Sequence, residues 1–181
     1  MIEVEYLGHV SLASKVRRAF WIVCSYFLFK PFVTNIFSGW RRLVLRLFGA
    51  KVGHGANIYP SVKIWAPWNM NIGADSCIGP SVICYNMRPI TIGEKTVVSQ
   101  YAYLCTAGHV IGEVNNAHEG LIVAPIVIGR ESWIGTRAYV GMGVEIGDRS
   151  VVGATSSVYK DVDPLTVVGG NPAKELRKIE K

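Results

Sequence analysis

From Val52 onward the sequence places an aliphatic residue at every sixth position, with Cys84 as the only exception. A second register of small or β-branched residues follows four positions after each of these, failing only at Trp68 and Arg88. A β-sandwich would alternate with period two over strands of variable length. A fixed period of six, with three flat faces to a coil, instead predicts a parallel β-helix with 18-residue coils. The aliphatic positions are Val52, Ile58, Ile64, Ile72, Ile78, Cys84, Ile92, Val98, Leu104, Ile128, Ile134, Val140, Ile146, Val152 and Val158.

Glycine follows many of the aliphatic positions, and we interpret it as the residue that supplies permissive φ angles in tight turns. The coils start at residues 52, 72, 92, 128 and 146, so their intervals are 20, 20, 36 and 18 residues. The first two intervals each hold two extra residues, and the third holds a long insertion. Trp68 and Arg88 lie just before the two-residue additions. The glycines are Gly53, Gly73, Gly79, Gly93, Gly129, Gly135, Gly147 and Gly153.

The segments that flank the repeat are predicted to be helical. Residues 11–29 form one helix that Pro31 ends, with apolar residues at helical spacing at Val16, Phe20, Val23 and Phe27. After the last coil, an Asn-Pro pair that suits a helix start leads into a short C-terminal helix. A second N-terminal helix is amphipathic and basic. Its apolar face holds Trp40, Leu43, Val44, Leu47 and Phe48, and its other face holds Arg41, Arg42 and Arg46.

The form of the repeat, [Ile/Val]-Gly-x-x-[small]-x, resembles that of the left-handed β-helix proteins. We therefore divide the chain into a basic helical segment (1–51), an all-β left-handed parallel β-helix of about five coils (52–163) and a C-terminal tail (164–181). Residues 1–51 hold eight Lys or Arg and two Glu, which equals the +6 of the whole chain. Charge confined to one segment argues against nucleic acid as a partner. Two interpretations of the basic helices stay open: they cap the first coil, or they dock on a membrane surface.

The cellular compartment is predicted from the pattern of the cysteines and from the apolar segments. The four cysteines form no CxxC pair and no cluster with histidine, so neither a zinc site nor a disulfide framework is expected. The N-terminus shows no signal-peptide pattern, and the apolar run 19–29 is shorter than a spanning helix. We expect a cytoplasmic protein, with contact to the inner face of the membrane as an open alternative.

A histidine stands where the long insertion begins. His109 ends the third-coil segment Thr106-Ala107-Gly108-His109 and would face a cleft there. Histidine is the side chain suited to removing a hydroxyl proton near neutral pH. His109 is therefore the candidate general base for a reaction in which a group passes directly from its donor to a hydroxyl. Cys105 is the alternative nucleophile.

Further motifs resemble the sugar O-acetyltransferases of the hexapeptide-repeat class, above all the colanic acid biosynthesis acetyltransferases and their galactoside and maltose O-acetyltransferase relatives. The resemblance covers nearly the whole chain. The sequence departs from that family at Val110, where aspartate is common, and in residues 111–121. The stretches that carry the resemblance are Asn69-Met70-Asn71-Ile72-Gly73, Tyr85-Asn86, Ser99-Gln100-Tyr101-Ala102-Tyr103-Leu104-Cys105-Thr106, Gly108-His109, Trp133-Ile134-Gly135-Thr136 and Val167-Val168-Gly169-Gly170-Asn171-Pro172-Ala173-Lys174.

The resemblance implies acetyl-CoA as acyl donor, a carbohydrate acceptor in extracellular polysaccharide or oligosaccharide synthesis, a homotrimer, and His109 as catalytic base. It implies that Asn86 binds the acceptor and that Trp133 lies beside the thioester. No metal is expected, because His118 and His109 lack a third ligand at suitable spacing. The donor groove would be lined by Thr136, Ala154, Tyr159 and Lys160, with Lys174 and Arg177 near the phosphates.

Two other functions stay open on the sequence. A γ-type carbonic anhydrase shares the fold but binds zinc through three histidines, and no His-x4-His pair is present here. A non-catalytic β-helix could serve in assembly or membrane docking through its basic N-terminus.

Overall fold

The computed structural model describes residues 4–7, 10–109 and 120–180. Short parallel strands stack into three faces, which the chain visits in turn. Face 1 contains β2 (Lys51–Val52), β5 (Met70–Ile72), β8 (Ile90–Ile92), β13 (Ile126–Ile128) and β16 (Glu145–Ile146). Face 2 contains β3 (Asn57–Ile58), β6 (Cys77–Ile78), β9 (Val97–Val98), β14 (Trp133–Ile134), β17 (Val151–Val152), β19 (Thr166–Gly170) and β20 (Ala173–Lys178). Face 3 contains β4 (Lys63–Ile64), β7 (Ile83–Tyr85), β10 (Tyr103–Cys105), β15 (Tyr139–Val140) and β18 (Ser157–Val158).

The strand register confirms the coils read from the sequence. Val52 pairs with Ile72, Ile72 with Ile92, Ile92 with Ile128 and Ile128 with Ile146. These are the five predicted coil starts, and all five side chains are buried. The prediction of a parallel β-helix of about five coils is therefore confirmed, and its left hand stays a prediction.

The coil glycines serve a different purpose from the one predicted. None of the eight has a positive φ; the left-handed residues lie two positions later, as at Asp75 and Lys95. A Cβ on Gly73 would stand 2.5 Å from the backbone nitrogen of Glu94 in the next coil, and one on Gly93 would stand 2.4 Å from that of Arg130. Glycine is needed at these positions because the coils approach one another too closely for a side chain.

A ladder of hydroxyl groups holds the coils together inside the corner between faces 1 and 2. The buried Ser76 donates to Gly93 O at 2.6 Å and accepts from Thr96 N at 3.3 Å. Thr96 and Ser132 repeat the arrangement one coil further on. Since buried backbone groups need partners, these small polar residues of the second register satisfy the turns of the neighbouring coil.

Two N-terminal helices cover the open end of the first coil, so the capping interpretation is confirmed. The first helix, α1 (Leu12–Cys24), continues as a π-helical turn (Ser25–Phe29), and a 3₁₀ turn (Asn35–Phe37) leads into α2 (Ser38–Leu47). Trp21 on α1 is buried and donates from Nε1 to Ile64 O at 2.8 Å. Within the described residues no helix is both long enough and apolar enough to cross a bilayer.

The structure identifies the face of α2 that packs on the coil, which the sequence did not specify. The basic face of α2 lies against the coil: Arg41 donates to Ile58 O at 2.7 Å, Arg42 to Ala56 O at 2.9 Å and Arg46 to Val52 O at 3.0 Å. The first coil has no preceding coil to pair its carbonyl oxygens, so cationic donors replace the missing strand. On the predicted apolar face Val44 is buried, whereas Leu43 and Leu47 are exposed.

The C-terminal segment is a strand and not the predicted helix. β19 adds a last rung to face 2, with Val167 beside Val151, and β20 turns back antiparallel along it. Gly170, with φ of 97°, forms the turn together with Asn171 and Pro172. The physical reason is that β19 would otherwise present an unpaired sheet edge, which the charged strand β20 covers.

A small antiparallel sheet extends from the side of the coil. It contains β1 (Glu5–Tyr6), β12 (Leu121–Val123) and β11 (Ala107–His109), with β12 in the centre. β11 and β12 are the two ends of the long insertion, so the insertion leaves and re-enters the third coil as a paired ribbon.

Candidate active site

All three departures from the 18-residue coil occur at the corner between face 3 and face 1. The two-residue additions fall within residues 65–69 and 86–89, and the long insertion begins at residue 106. Because successive coils stack in register, these segments lie above one another. We call this region, residues 65–69, 86–89 and 106–109, the insertion corner. A repeat protein concentrates its non-repetitive chemistry where loops depart from the coil.

His109 lies at the end of β11 on the insertion corner. It is opposite Leu121 in the ribbon, and its side chain is exposed. Gly108, the residue before it, lies close to Met142 of the next coil, since a Cβ there would be 3.1 Å from the Met142 Cε atom. The imidazole is thus held on a strand at the coil wall and is open to a ligand.

Thr106 fixes the start of that strand. It is fully buried, and its hydroxyl donates to Tyr85 O at 3.0 Å while accepting from Arg88 N at 3.0 Å. Its own carbonyl accepts from Ala124 N at 3.0 Å. The side chain and the main-chain carbonyl of one residue therefore tie the second coil, the third coil and the returning segment together three residues before His109.

A cavity of about 240 Å³ opens on the insertion corner. Trp65 and Trp68 form an aromatic part of its wall, and Arg18 stacks on Trp65 with 3.8 Å between the guanidinium carbon and the ring centroid. Apolar surface with a few polar groups that converge on it is typical of small-molecule sites. The complete lining is Leu7, Val10, Ser11, Ser14, Arg18, Trp65, Ala66, Trp68, Asn69, Met87 and Arg88.

An ion pair joins the cavity to the ribbon that holds His109. Arg88 donates from Nε to Glu5 Oε2 at 2.8 Å, and this hydrogen bond lowers the pKa of the Glu5 carboxyl. Beside Glu5 on the same segment, Leu7 N donates to Leu121 O at 2.9 Å, and Leu121 pairs with His109. Two strand spacings therefore separate Leu7 from His109, a distance of about 10 Å.

Sequence reasoning missed the cavity residues Trp65 and Arg18, and also Glu5, which pairs with the cavity residue Arg88. A signal was nevertheless present, because Trp68 and Arg88 are the two positions at which the second register fails. Both line the cavity. A large or charged residue where the repeat demands a small one marks a point where the side chain has left the core.

Asn86 lies on the same corner but is used by the coil itself. Its side chain is completely buried; Oδ1 accepts from Ala66 N at 3.0 Å and Nδ2 donates to Ala66 O at 2.6 Å. These two bonds link the first and second coils directly behind the cavity wall. Its role as an acceptor ligand stays a prediction, and the bonds indicate a structural contribution.

Most of the predicted donor-binding residues lie together along face 2 and its corner with face 3. Trp133 is 53% exposed and donates from Nε1 to Ser99 Oγ at 2.8 Å. Thr136 and Ala154 occupy the same turn of successive coils. Arg177 continues the outward ladder of Trp133, Val151 and Val167, so three strand spacings, about 14 Å, separate it from Trp133. Lys174 lies on the same strand as Arg177 and is exposed.

Tyr159 and Lys160, the other two predicted donor-binding residues, come directly after β18 of face 3. Tyr159 is exposed and packs on Tyr139 with 5.6 Å between ring centroids. His109 leaves from this edge of face 3, whereas Thr136 and Ala154 are on the opposite edge. One chain therefore does not bring the predicted base and all of the predicted donor residues together.

The alternative nucleophile Cys105 is buried, and its thiol donates to Ala107 O at 3.2 Å. Tyr103 and Tyr139 lie beside it, and burial together with Cys105 raises the pKa of both phenols. His118 lies outside the described residues, and within the described ranges no three metal-ligating side chains cluster.

Comparison with known proteins finds acetyltransferases that are similar to this chain in sequence and in fold. The profile "Hexapeptide repeat of succinyl-transferase" matches residues 125–160. The chain is 40% identical over 166 residues to "Putative colanic acid biosynthesis acetyltransferase WcaF" of Escherichia coli K12, covering 92% of this chain and 88% of that one. It is 30% identical over 139 residues to the galactoside O-acetyltransferase of the same strain, covering 77% and 68%.

A hexapeptide-repeat acetyltransferase of Vibrio cholerae, VCA0836, superimposes with a TM-score of 0.86 at 29% identity over 96% of this chain and 97% of that one. Its structure complexed with acetyl-CoA gives a TM-score of 0.83 at 28% identity, covering 95% and 92%.

The parallel β-helix fold and the acetyltransferases that share it place the chain in the class of β-helix acyltransferases. With full-length relatives at this level of identity, the chain belongs to the hexapeptide-repeat acetyltransferase family. It is an acyltransferase.

Proposed function

We propose that the protein transfers the acetyl group of acetyl-CoA to a hydroxyl of a carbohydrate acceptor, with His109 as general base. The observation that carries this proposal is that an exposed histidine and a cavity lie on the same insertion corner. Leu7, which lines the cavity, donates a hydrogen bond to Leu121, and Leu121 pairs with His109. The relative complexed with acetyl-CoA supports the donor.

The reaction needs no covalent enzyme intermediate. As the acceptor oxygen attacks the thioester carbonyl carbon, His109 removes the hydroxyl proton. The new C–O bond forms, the C–S bond breaks, and the proton passes from His109 to the departing CoA thiolate. The enzyme supplies alignment of the two substrates and one proton carrier, which suits a single exposed imidazole on a rigid strand.

The acceptor is proposed to enter the cavity on the insertion corner. Trp65 and Trp68 offer apolar surface, while Arg88 offers a hydrogen-bond donor and the side-chain oxygen of Asn69 an acceptor. Neutral sugars present both kinds of surface. The relatives named for colanic acid and galactoside acetylation support a sugar of an extracellular polysaccharide or its precursor as the acceptor.

The donor is proposed to lie along face 2, from Trp133 toward Lys174 and Arg177 at the phosphate end. These two exposed cations are suitable partners for phosphate groups. Because His109 and the Thr136–Ala154 turn are on opposite edges of face 3, a complete site requires a second copy of the chain. We therefore infer a homotrimer in which the donor groove lies between neighbouring copies. Copies that repeat one heterologous interface can close into a ring of this kind.

The test is acetyl-CoA-dependent thiol release over a panel of simple sugars, nucleotide sugars and oligosaccharides. His109→Ala should lower kcat by about 10²–10⁴-fold, the usual contribution of a general base. His54→Ala is the matched control, since His54 is on the first coil with its side chain 84% exposed. Acceptor-dependent release that survives in His109→Ala contradicts the base assignment, and no release by the wild type with any sugar contradicts the acceptor class.

A further inference from the structure

The N-terminal helices expose an unusual amount of apolar surface. Of the 22 large apolar side chains that are exposed among the described residues, 14 lie between residues 12 and 47. Contiguous exposed apolar surface of this kind marks an interaction site on a protein. The capping of the first coil does not use it.

On α1 the exposed apolar residues form one stripe. They follow one another at spacings of four, four, three and four residues, and each is at least 57% exposed. At about 100° per residue, the stripe lies about 140° around the helix from the buried residue Trp21. The fold thus turns this stripe away from the β-helix. Its members are Leu12, Val16, Phe20, Val23 and Phe27.

The exposed face of α2 extends the same surface. Trp40 is 38%, Leu43 46% and Leu47 75% exposed. Phe20 of the α1 stripe packs on Phe48 with 5.7 Å between ring centroids, and the Trp40 indole donates to Leu28 O at 2.7 Å. These contacts, at the π-helical turn after α1 and at the residue after α2, connect the two helices. We call the exposed apolar residues of α1 and α2 the helical apron.

The stretch of sequence that contains the helical apron carries charge of one sign only. Between residues 6 and 74 the sequence contains nine Lys or Arg and no Asp or Glu, whereas residues 75–181 contain ten and eleven. Lys15 is exposed on α1, and Lys30 lies 3.7 Å from the Tyr26 ring centroid. Lys and aromatic residues at the rim of an apolar helical face are typical of interfacial helices.

We propose that the helical apron docks on the surface of an anionic phospholipid bilayer. A bilayer surface satisfies both properties of the apron, because acyl chains accept Phe27 and Leu47 while anionic headgroups attract the lysines. A second copy of the same face is a poorer partner, since two such surfaces would oppose like charges. Arg41, Arg42 and Arg46 take no part in the docking, because their side chains cap the first coil.

The test uses the full chain and co-flotation with two kinds of vesicle, phosphatidylglycerol mixed equally with phosphatidylcholine, and phosphatidylcholine alone. The double variant Phe27→Gln/Leu47→Gln changes no charge and removes two of the most exposed apron residues, 72% and 75%. Its control is Tyr101→Gln/Val127→Gln, two exposed apolar residues on the coil wall, 55% and 37%. Light scattering on all three proteins reports their oligomeric mass.

We expect the wild type and the control to float with anionic vesicles, and the apron variant to bind at least about tenfold more weakly. Binding should fall with added salt and with vesicles of phosphatidylcholine alone, since the lysine attraction is screened or absent. Equal flotation of apron variant and control contradicts the proposal, as does a wild type that fails to float. A lower oligomeric mass for the apron variant alone would identify the apron as an interface between copies and also overturn it.

Discussion

Arg41 and Ile58 are joined by a hydrogen bond of 2.7 Å from the guanidinium Nε to the carbonyl oxygen, and the Arg41 side chain is completely buried. The same guanidinium also donates to Phe32 O and Thr34 O. No carboxylate of the described residues pairs with it, and burial lowers its pKa. Three carbonyl dipoles therefore take the place of a counter-ion at the open end of the coil.

We expect Arg41→Met to lower the free energy of unfolding by about 3 kcal/mol, because one buried and two partly buried carbonyl oxygens lose their donor. Arg46→Met is the control: Arg46 is exposed and donates to Val52 O, so we expect about 1 kcal/mol. Urea unfolding monitored by tryptophan fluorescence measures both. Equal losses for the two variants would contradict the capping role of Arg41.

The coil glycines lead to a second prediction. A Cβ on Gly73 would meet backbone at 2.5 Å, whereas one on Gly153 would meet its nearest atoms at 3.3 Å. We expect Gly73→Ala to destabilise the protein by about 2–3 kcal/mol, since coil stacking cannot relax around a backbone clash, and Gly153→Ala by less than about 1 kcal/mol. Thermal unfolding of the pair distinguishes steric stacking from turn conformation, because neither glycine has a positive φ.

The sequence predicts the β-helix well because every coil imposes the same packing requirement on its residues. An inward aliphatic side chain and a small one fill a narrow interior, so the register of Val52, Ile72 and Ile92 is visible as a period. The packing of α2 is not visible in this way. Amphipathicity shows that a helix has two faces, but only the unpaired carbonyl oxygens of the first coil determine that the arginine face packs.

The C-terminal helix was mispredicted for a related reason. Asn171-Pro172 suits a helix start locally, but the free edge of β19 is a tertiary feature that local propensity does not contain. For the site, His109 follows from the position of the insertion. The Glu5–Arg88 pair joins residues 83 positions apart, so only the folded chain reveals it.

Cys84 gives a prediction on pH. It replaces an aliphatic residue in the repeat, and complete burial raises its thiol pKa to about 12. In the unfolded chain the thiol ionises near its ordinary value of about 8.5, so the unfolded state binds fewer protons than the native state above that pH. Its contribution to stability is present below that pH and is lost as pH rises toward 12. We expect Cys84→Val to flatten the decline of unfolding free energy between about pH 9 and 11; an unchanged slope would contradict this.

Arg88 is predicted to act on the acceptor. Arg88→Met should raise the acceptor KM about tenfold with little change in the acetyl-CoA KM, since it removes a charged donor from the cavity wall. Glu5→Gln removes the ion-pair charge but keeps Arg88, so it separates acceptor contact from the anchoring of β1. Arg130→Met, whose partner is the surface residue Asp148, is the control. If Glu5→Gln and Arg88→Met raise the acceptor KM equally, Arg88 acts only by holding β1.

Thr106 is predicted to be a positioning residue for His109. In Thr106→Val the side chain keeps its shape, but Arg88 N loses its acceptor and Tyr85 O loses one donor, so the origin of β11 is no longer fixed. We expect kcat to fall about tenfold with both KM values little changed, since the base is misaligned and the substrates still bind. Thr106→Ser keeps the hydroxyl and should restore most of kcat. A merely structural role would lower stability equally in the two variants and leave kcat per folded enzyme unchanged, so kcat should be measured with unfolding curves for both.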